Sequence, residues 1–394
     1  MACASHHLLT QQHKQKMVSV GLVRRGKYGS RSETSRSSVN GRKRRRRVTR
    51  ASSESSGSFS FKDVGNEGSP ESLKSLFSPA KINLFLRITK KRPDGFHELA
   101  SLFQTIAFGD TMNVSMLPST ATEDHITCDD PTVPCDERNL VAKAADLFRK
   151  KTGSTQMFSI DLQKEVPAGA GLGGGSGNAA TMLWAANELC QSDYSEGDLL
   201  EWSGDIGSDI SFFFSSGTAY CTGRGEIVED MPPALPETYP IVLIKPSTPL
   251  STAAVYKALD VKKCSQEDPD ELKAMFYQDI LKNSSGKKSF PSQELCINDL
   301  ELPAFQEMPI LAKAKEELIA GGKYSSVFMS GSGSTMVCLG SHMLDDNPQF
   351  EIESMDDWLA VMTQPVNRDK GTWYEKPVEL YVTEGTEDDD YVRK

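Results

Sequence analysis

The chain has 394 residues, 38% hydrophobic and 25% charged, which suits a globular protein of more than one domain. No apolar run approaches the ~20 residues that a membrane span needs. The net charge of −10 divides unevenly: residues 1–50 carry 14 Lys+Arg and one acid, Glu33, and the remainder carries 30 basic and 53 acidic residues. That acidic remainder argues against nucleic acid as a partner of the folded part, because like charges repel the phosphate backbone.

The leader is basic, rich in Ser and poor in acids, with no apolar h-region. That is the composition of a transit peptide rather than a secretory signal. Its "RKRRRR" run, Arg42 to Arg47, also fits a nuclear localisation patch or a nucleic-acid arm. Ala51 to Ser69 reads as a Ser/Gly/Glu linker, so residues 1–72 are taken as leader and linker. Eight scattered cysteines form no CxxC and no His/Cys cluster with zinc spacing. They read as reduced thiols, and no metal-ligating residues are assigned.

"AKINLFLRITKK", Ala80 to Lys91, alternates: Ile82, Leu84, Leu86 and Ile88 are expected on one face of a strand, with Lys81 and Asn83 together on the other. A Pro-Asp-Gly turn follows at Pro93–Gly95. "DTMNVSML" predicts another strand. Asn139 to Gly153 has helical apolar spacing, with Gly153 as its stop. Met157 to Val166 predicts a further strand. Strands and helices are mixed, with short hairpin-like strands early, which predicts an α+β fold rather than a parallel βαβ array.

"VPAGAGLGGGSGNAATMLWAANEL" comes next. Six glycines fall between Gly169 and Gly177, and a helix is predicted from about Gly177 to Leu189. Ala179, Met182, Leu183, Ala186 and Leu189 would form one apolar stripe, and Ser176 and Asn178 sit where caps belong. Glycines leave backbone N–H groups uncovered, and a helix N-terminus attracts phosphate. Gly174 is expected to need positive φ. A tight turn alone needs fewer glycines, so the loop reads as an anion site. No GK[ST] follows, which excludes a Walker A loop. "GAGLGG" matches GxGxxG, but no strand ending in an acid comes ~20 residues later, against a dinucleotide fold.

The stretch resembles the phosphate-binding loop of the GHMP kinases, the superfamily of galactokinase and the homoserine, mevalonate and phosphomevalonate kinases. Three more stretches agree in order: "SPAKINLFLRITKKRPDGFHELASLFQTI", "IGSDISFFFSSGTAYCTGRGE" and "SSVFMSGSGSTMVCLG". Together they cover about residues 76–375. The GLGGGS spelling points to the branch acting on cytidine diphosphate-linked methylerythritol in the non-mevalonate isoprenoid pathway. Gly177 departs from the pattern, which usually has a second Ser there.

The resemblance implies a two-domain fold: an ATP-binding N-terminal domain over 73–236, a C-terminal domain over 237–375, and the active site in the cleft between them. An acidic tail, 376–394, follows. Asp209 would be the general base that takes the proton of the substrate hydroxyl, and Lys81 would stabilise its charge. Pro167, Ala168, Gly169, Ala170, Gly171, Leu172, Gly173, Gly174, Gly175, Ser176 and Gly177 would cradle ATP, with Mg²⁺ on its phosphates and Lys164 and Asn139 near the adenine. Asn83, Phe96, His97 and Tyr256 would hold the acceptor. Without the motif, Phe96 and Tyr256 would read as core residues and Asp209 as a surface group. Ser330 to Thr335 is expected to line the cleft opposite the ATP loop.

Two other readings remain: another small-molecule kinase of the mevalonate or homoserine type, and a nucleotide-binding relative without catalysis. The Phe96–His97 pair speaks against the first, and Lys81 with Asp209 against the second. The implied partners are a small-molecule substrate and, through the leader, the plastid import machinery. The implied location is the plastid stroma. No membrane or nucleic-acid partner is implied.

Overall fold

A computed structural model describes residues 74–283, 291–341 and 358–377, which fall within one unit of the chain. The leader and nearly all of the acidic tail lie outside these residues.

A long hairpin organises the first sheet. β1 (Lys74–Lys91) and β2 (His97–Met116) pair antiparallel across the Pro93–Gly95 turn, where Gly95 takes φ 89°. The expected early strands are therefore not short. "DTMNVSML" is the far half of β2. On its other edge β2 carries two partners: β5 (Thr218–Gly223) along its first half and β4 (Phe158–Gln163) along its second. β3 (His125–Cys128) lies parallel to β4, and β6 (Ile227–Asp230) closes the sheet beside β5. A second sheet has the order β10 (Leu359–Thr363), β7 (Ile241–Lys245), β9 (Met336–Ser341), β8 (Tyr324–Met329), all antiparallel.

β1 is buried almost throughout, and a bulge between Asn83 and Phe85 interrupts its alternation. Ile82 and Leu84 therefore pack in a core between the sheets with Leu243 and Phe328. Leu86 and Ile88 pack in another core with Val242, Val255 and Leu311. The four do not share one face, as plain alternation would require.

A third core forms under two helices, α1 (Leu140–Thr152) and α2 (Gly174–Leu189). Asn139 caps α1 by accepting from Val141 N at 2.9 Å, and Gly153 ends it at φ 75°. The expected amphipathic stripe on α2 is absent. Every residue from Gly177 to Leu183 is buried, because α1, β1 and the segment around Trp373 enclose the helix. α3 (Glu196–Ser203) follows with a capping box from Ser195 and Asp198. α4 (Thr252–Ala258), α5 (Pro269–Asn283), α6 (Glu301–Glu307) and α7 (Ile310–Ala320) accompany the second sheet in sequence.

After β10 the chain leaves the second sheet. Val366, Trp373 and Tyr374 pack into the α1–α2 core, and Trp373 Nε1 donates to Phe77 O at 3.0 Å. Arg368 is buried there on the carbonyls of Phe214 and Ser215 and on Glu196. The range 237–375 thus contains a segment that packs with the first sheet.

Candidate active site

The glycine loop alternates handedness. Gly169, Gly171 and Gly173 hold φ of 64°, 76° and 67°, a conformation that L side chains avoid. Such alternation turns successive N–H groups into one concavity that suits an anion. α2 starts immediately afterwards, with Gly173 as N-cap and no side chain on its free N–H groups. The helix begins three residues earlier than expected. Ser176 and Asn178 therefore lie inside it and are not caps. Gly174 holds no positive φ; what excludes a side chain there is Val166, whose Cγ1 would stand 2.8 Å from a β-carbon.

The loop is fastened from two sides. Leu172 O accepts from Lys81 N at 2.8 Å, tying it to β1. Ser330 Oγ donates to Gly171 O at 3.0 Å, and Thr335 N to Ala170 O at 3.3 Å. A β-carbon on Gly171 would collide with the Ser330 carbonyl. The Ser330–Thr335 loop thus abuts the glycine loop rather than facing it, although Gly331 and Ser332 do line the cleft.

That cleft holds ≈ 930 Å³. It is lined by Pro167 to Ser176, Lys81, Asn83, Phe96, His97, Asn139, Lys164, Asp209 and Tyr256. All the expected site residues meet there except Gly177. A β-carbon on Gly177 would stand 2.5 Å from Pro79 O, so a side chain at this position would point toward β1 and not into the cleft. The close approach of helix and strand accounts for glycine at this position.

At the foot of the cleft Lys81 Nζ stands 3.4 Å from Asp209 Oδ2. Lys81 is buried in mid-strand, not at a strand head, and its ammonium lies 4.4 Å from the centre of the Phe103 ring. It donates to Asn83 Oδ1 at 2.8 Å, and Asn83 Nδ2 donates to Ser101 Oγ at 2.9 Å. Asn83 is thus already committed to holding Lys81. Asp209 lies on the turn after α3. Buried Ile210, Phe212 and Phe213 anchor that turn and leave the carboxylate half-exposed toward the cleft.

Lys164 and Asn139 line the other end. Lys164 Nζ pairs with Asp110 and donates to Asn178 Oδ1 at 2.9 Å. Asp110 is fully buried and also accepts from Glu165 N, Val166 N and Asn178 Nδ2 at 2.8–2.9 Å. A buried carboxylate is tolerable only with such compensation. The network sets the entry to the glycine loop. Asn139 spends its side-chain amide on the α1 cap and on Pro134 O, and its backbone N–H donates to Asp136 O at 2.9 Å.

Phe96 is 57% exposed, so it is not a core residue. His97 and Tyr256 stack with ring centres 5.5 Å apart at 33°. Burial, and secondarily the charge of Lys91, hold the His97 imidazole below its usual pKa. Burial and the charge of Asp209 push the Tyr256 phenol well up, which keeps it a neutral donor. Sequence reasoning missed Ser101 behind Asn83, and Arg224, which also lines the cleft. The signal for Arg224 was its place between two glycines in "GRGE". Ser101 gave none.

Among the described residues no His/Cys/Asp/Glu group of three or more is placed to hold a metal ion, and no helix is long and apolar enough to cross a membrane. The seven described cysteines are free thiols.

Residues 139–217 match the GHMP kinases N terminal domain. The chain is 50% identical over 313 residues to a protein of Oryza sativa named chloroplastic 4-diphosphocytidyl-2-C-methyl-D-erythritol kinase, covering 78% of this chain and 74% of that one. It is 42% identical to the 4-diphosphocytidyl-2-C-methyl-D-erythritol kinase of Protochlamydia amoebophila, covering 76% and 92%. A crystal structure of 4-(cytidine 5'-diphospho)-2C-methyl-D-erythritol kinase superposes with a TM-score of 0.57 at 29% identity, over 74% of this chain and 99% of that one.

Proposed function

This chain belongs to the 4-diphosphocytidyl-2-C-methyl-D-erythritol kinase family of the GHMP kinases, and we propose that it transfers the γ-phosphoryl group of ATP to the 2-hydroxyl of 4-diphosphocytidyl-2-C-methyl-D-erythritol. The observation that carries this reading is the Lys81–Asp209 pair, 3.4 Å apart in a cleft walled by the glycine loop.

ATP fits what the cleft offers: uncapped N–H groups at α2, the nest of alternating glycines, and room that side chains would fill. Asp209 takes the proton from the acceptor hydroxyl, and the oxygen attacks the γ-phosphorus as the bond to ADP breaks. Lys81, held by Asn83, faces Asp209 and stabilises charge on the phosphoryl group in flight. A bound Mg²⁺ would neutralise charge on the phosphates, with Ser176 as the lining hydroxyl suited to it. Phe96, His97 and Tyr256 take the cytosine end of the acceptor. The ATP-binding domain is read as 73–236 together with the segment after β10, which packs against it, and the C-terminal domain as beginning at 237.

The plant relatives, 49–50% identical, are named chloroplastic, and their naming supports a plastid location for this chain. Residues 1–72 would serve the import machinery. A fusion of residues 1–75 to a fluorescent protein tests that, and nuclear or cytosolic fluorescence refutes it.

The activity is tested with protein starting at Pro70, given ATP and, in parallel, the cytidine diphosphate-linked acceptor, mevalonate and homoserine. The reading expects phosphorylation of the first alone. Turnover of mevalonate or homoserine without it overturns the reading.

A further inference from the structure

Arg224 sits in the tight turn between β5 and β6, flanked by Gly223 and Gly225 at φ 72° and 121°. This turn abuts the reacting end of the cleft. A β-carbon on Gly225 would stand 3.0 Å from Asp209 Oδ1. Glu226 fastens the turn: its carboxylate accepts from Arg224 N at 2.6 Å and from Arg224 Nε at 3.3 Å. The arginine is thus held at its backbone and along one edge of its guanidinium.

The guanidinium carbon lies 5.5 Å from the centre of the Phe96 ring. The Phe96 backbone is fixed separately, with its N–H on Asp94 Oδ1 at 3.1 Å and its carbonyl on Arg92 N at 2.8 Å. Its ring is the most exposed aromatic of the cleft. A ring so exposed can present one face to a ligand at low entropic cost only if its other face is held.

We propose that Arg224 is a specificity-determining positioning residue: it covers one face of Phe96 and presets the opposite face as the stacking platform for the acceptor's nucleobase. The inference rests on the acceptor reading above. A planar guanidinium stacks on an aromatic face in a way an ammonium matches only partly. A base then stacks on a platform already in place. The rival role is a direct contact to the acceptor's diphosphate. The stacking role is favoured because Glu226 already partners the guanidinium and the ring lies within stacking range.

The test is calorimetric titration of cytidine and of CDP, with the ATP site filled by a non-hydrolysable analogue. The proteins are wild type, R224A, R224K, F96A and R224A/F96A. Arg224→Ala weakens both ligands about 3- to 10-fold, and Arg224→Lys recovers part of the loss. In the F96A background the same change has no further effect, which is the coupling a platform requires. Affinity for the ATP analogue stays as in wild type. Additive losses overturn the inference, as does a loss confined to CDP, which marks a diphosphate contact. Wild-type protein that binds neither ligand overturns the acceptor reading together with this inference. Additive losses in a wild type that does bind leave that reading standing.

Discussion

Gly173 lies directly beneath Lys81: a β-carbon on the glycine would stand 2.9 Å from Lys81 Cγ. The same glycine holds φ at 67° and starts α2. One residue thus sets the last bend of the loop, the first turn of the helix and the seat of the lysine. Gly173→Ala is expected to lower kcat/KM for ATP about 10-fold or more, from ~1–3 kcal/mol of backbone strain and displacement of Lys81. Steady-state kinetics on folded variant protein checks this, and a wild-type value would show that the seat tolerates a side chain.

Gly177 behaves differently. A serine there must push its β-carbon against Pro79 O, with the Phe213 ring 3.4 Å away. Gly177→Ser is expected to cost about 1–3 kcal/mol of stability, the range for overpacking a filled core. The KM for ATP should change little, because the position turns away from the cleft. Thermal denaturation and ATP kinetics separate the two effects. A lower KM with unchanged stability would mean that the added hydroxyl reaches phosphate.

Acceptor binding should depend on pH through His97. Its imidazole is held below the usual 6.5 by burial and then by Lys91, so the neutral ring prevails at pH 7. A neutral ring offers one donor and one acceptor to a base edge, whereas the imidazolium offers donors alone. The unfolded state binds the proton more readily, so His97 costs stability progressively as pH falls below about 6.5. The KM for the acceptor should be flat above that pH and rise below it, while the KM for ATP stays level. A His97→Gln variant should lose that rise; if the rise persists in it, another group titrates.

Much of the site was legible because backbone demands leave a mark on sequence. Positive φ at alternate loop positions needs glycine. The Pro-Asp-Gly turn and the Gly153 stop announced themselves in the same way. Asp209 is legible only through the resemblance, since by itself it reads as a surface group. Contacts between distant segments left no such mark. Nothing near Trp373 says that its indole reaches Phe77, and so the enclosure of α2 was invisible and a stripe was expected. The bulge after Asn83 leaves the spelling of β1 unchanged. Ser330 and its neighbours read as a small-residue loop, but which wall they support depends on β8 and β9 folding back toward Gly171.

The central claim is that Asp209, held beside Lys81, accepts the proton of the hydroxyl that attacks ATP. The measurement that tests it most directly is the turnover of Asp209→Asn beside its equilibrium affinity for ATP. The asparagine keeps the size of the side chain and removes its basicity. The account predicts ATP affinity near that of wild type and a kcat lower by about 10²–10⁴-fold, the range for loss of a general base. A kcat near wild type in the folded variant would contradict it.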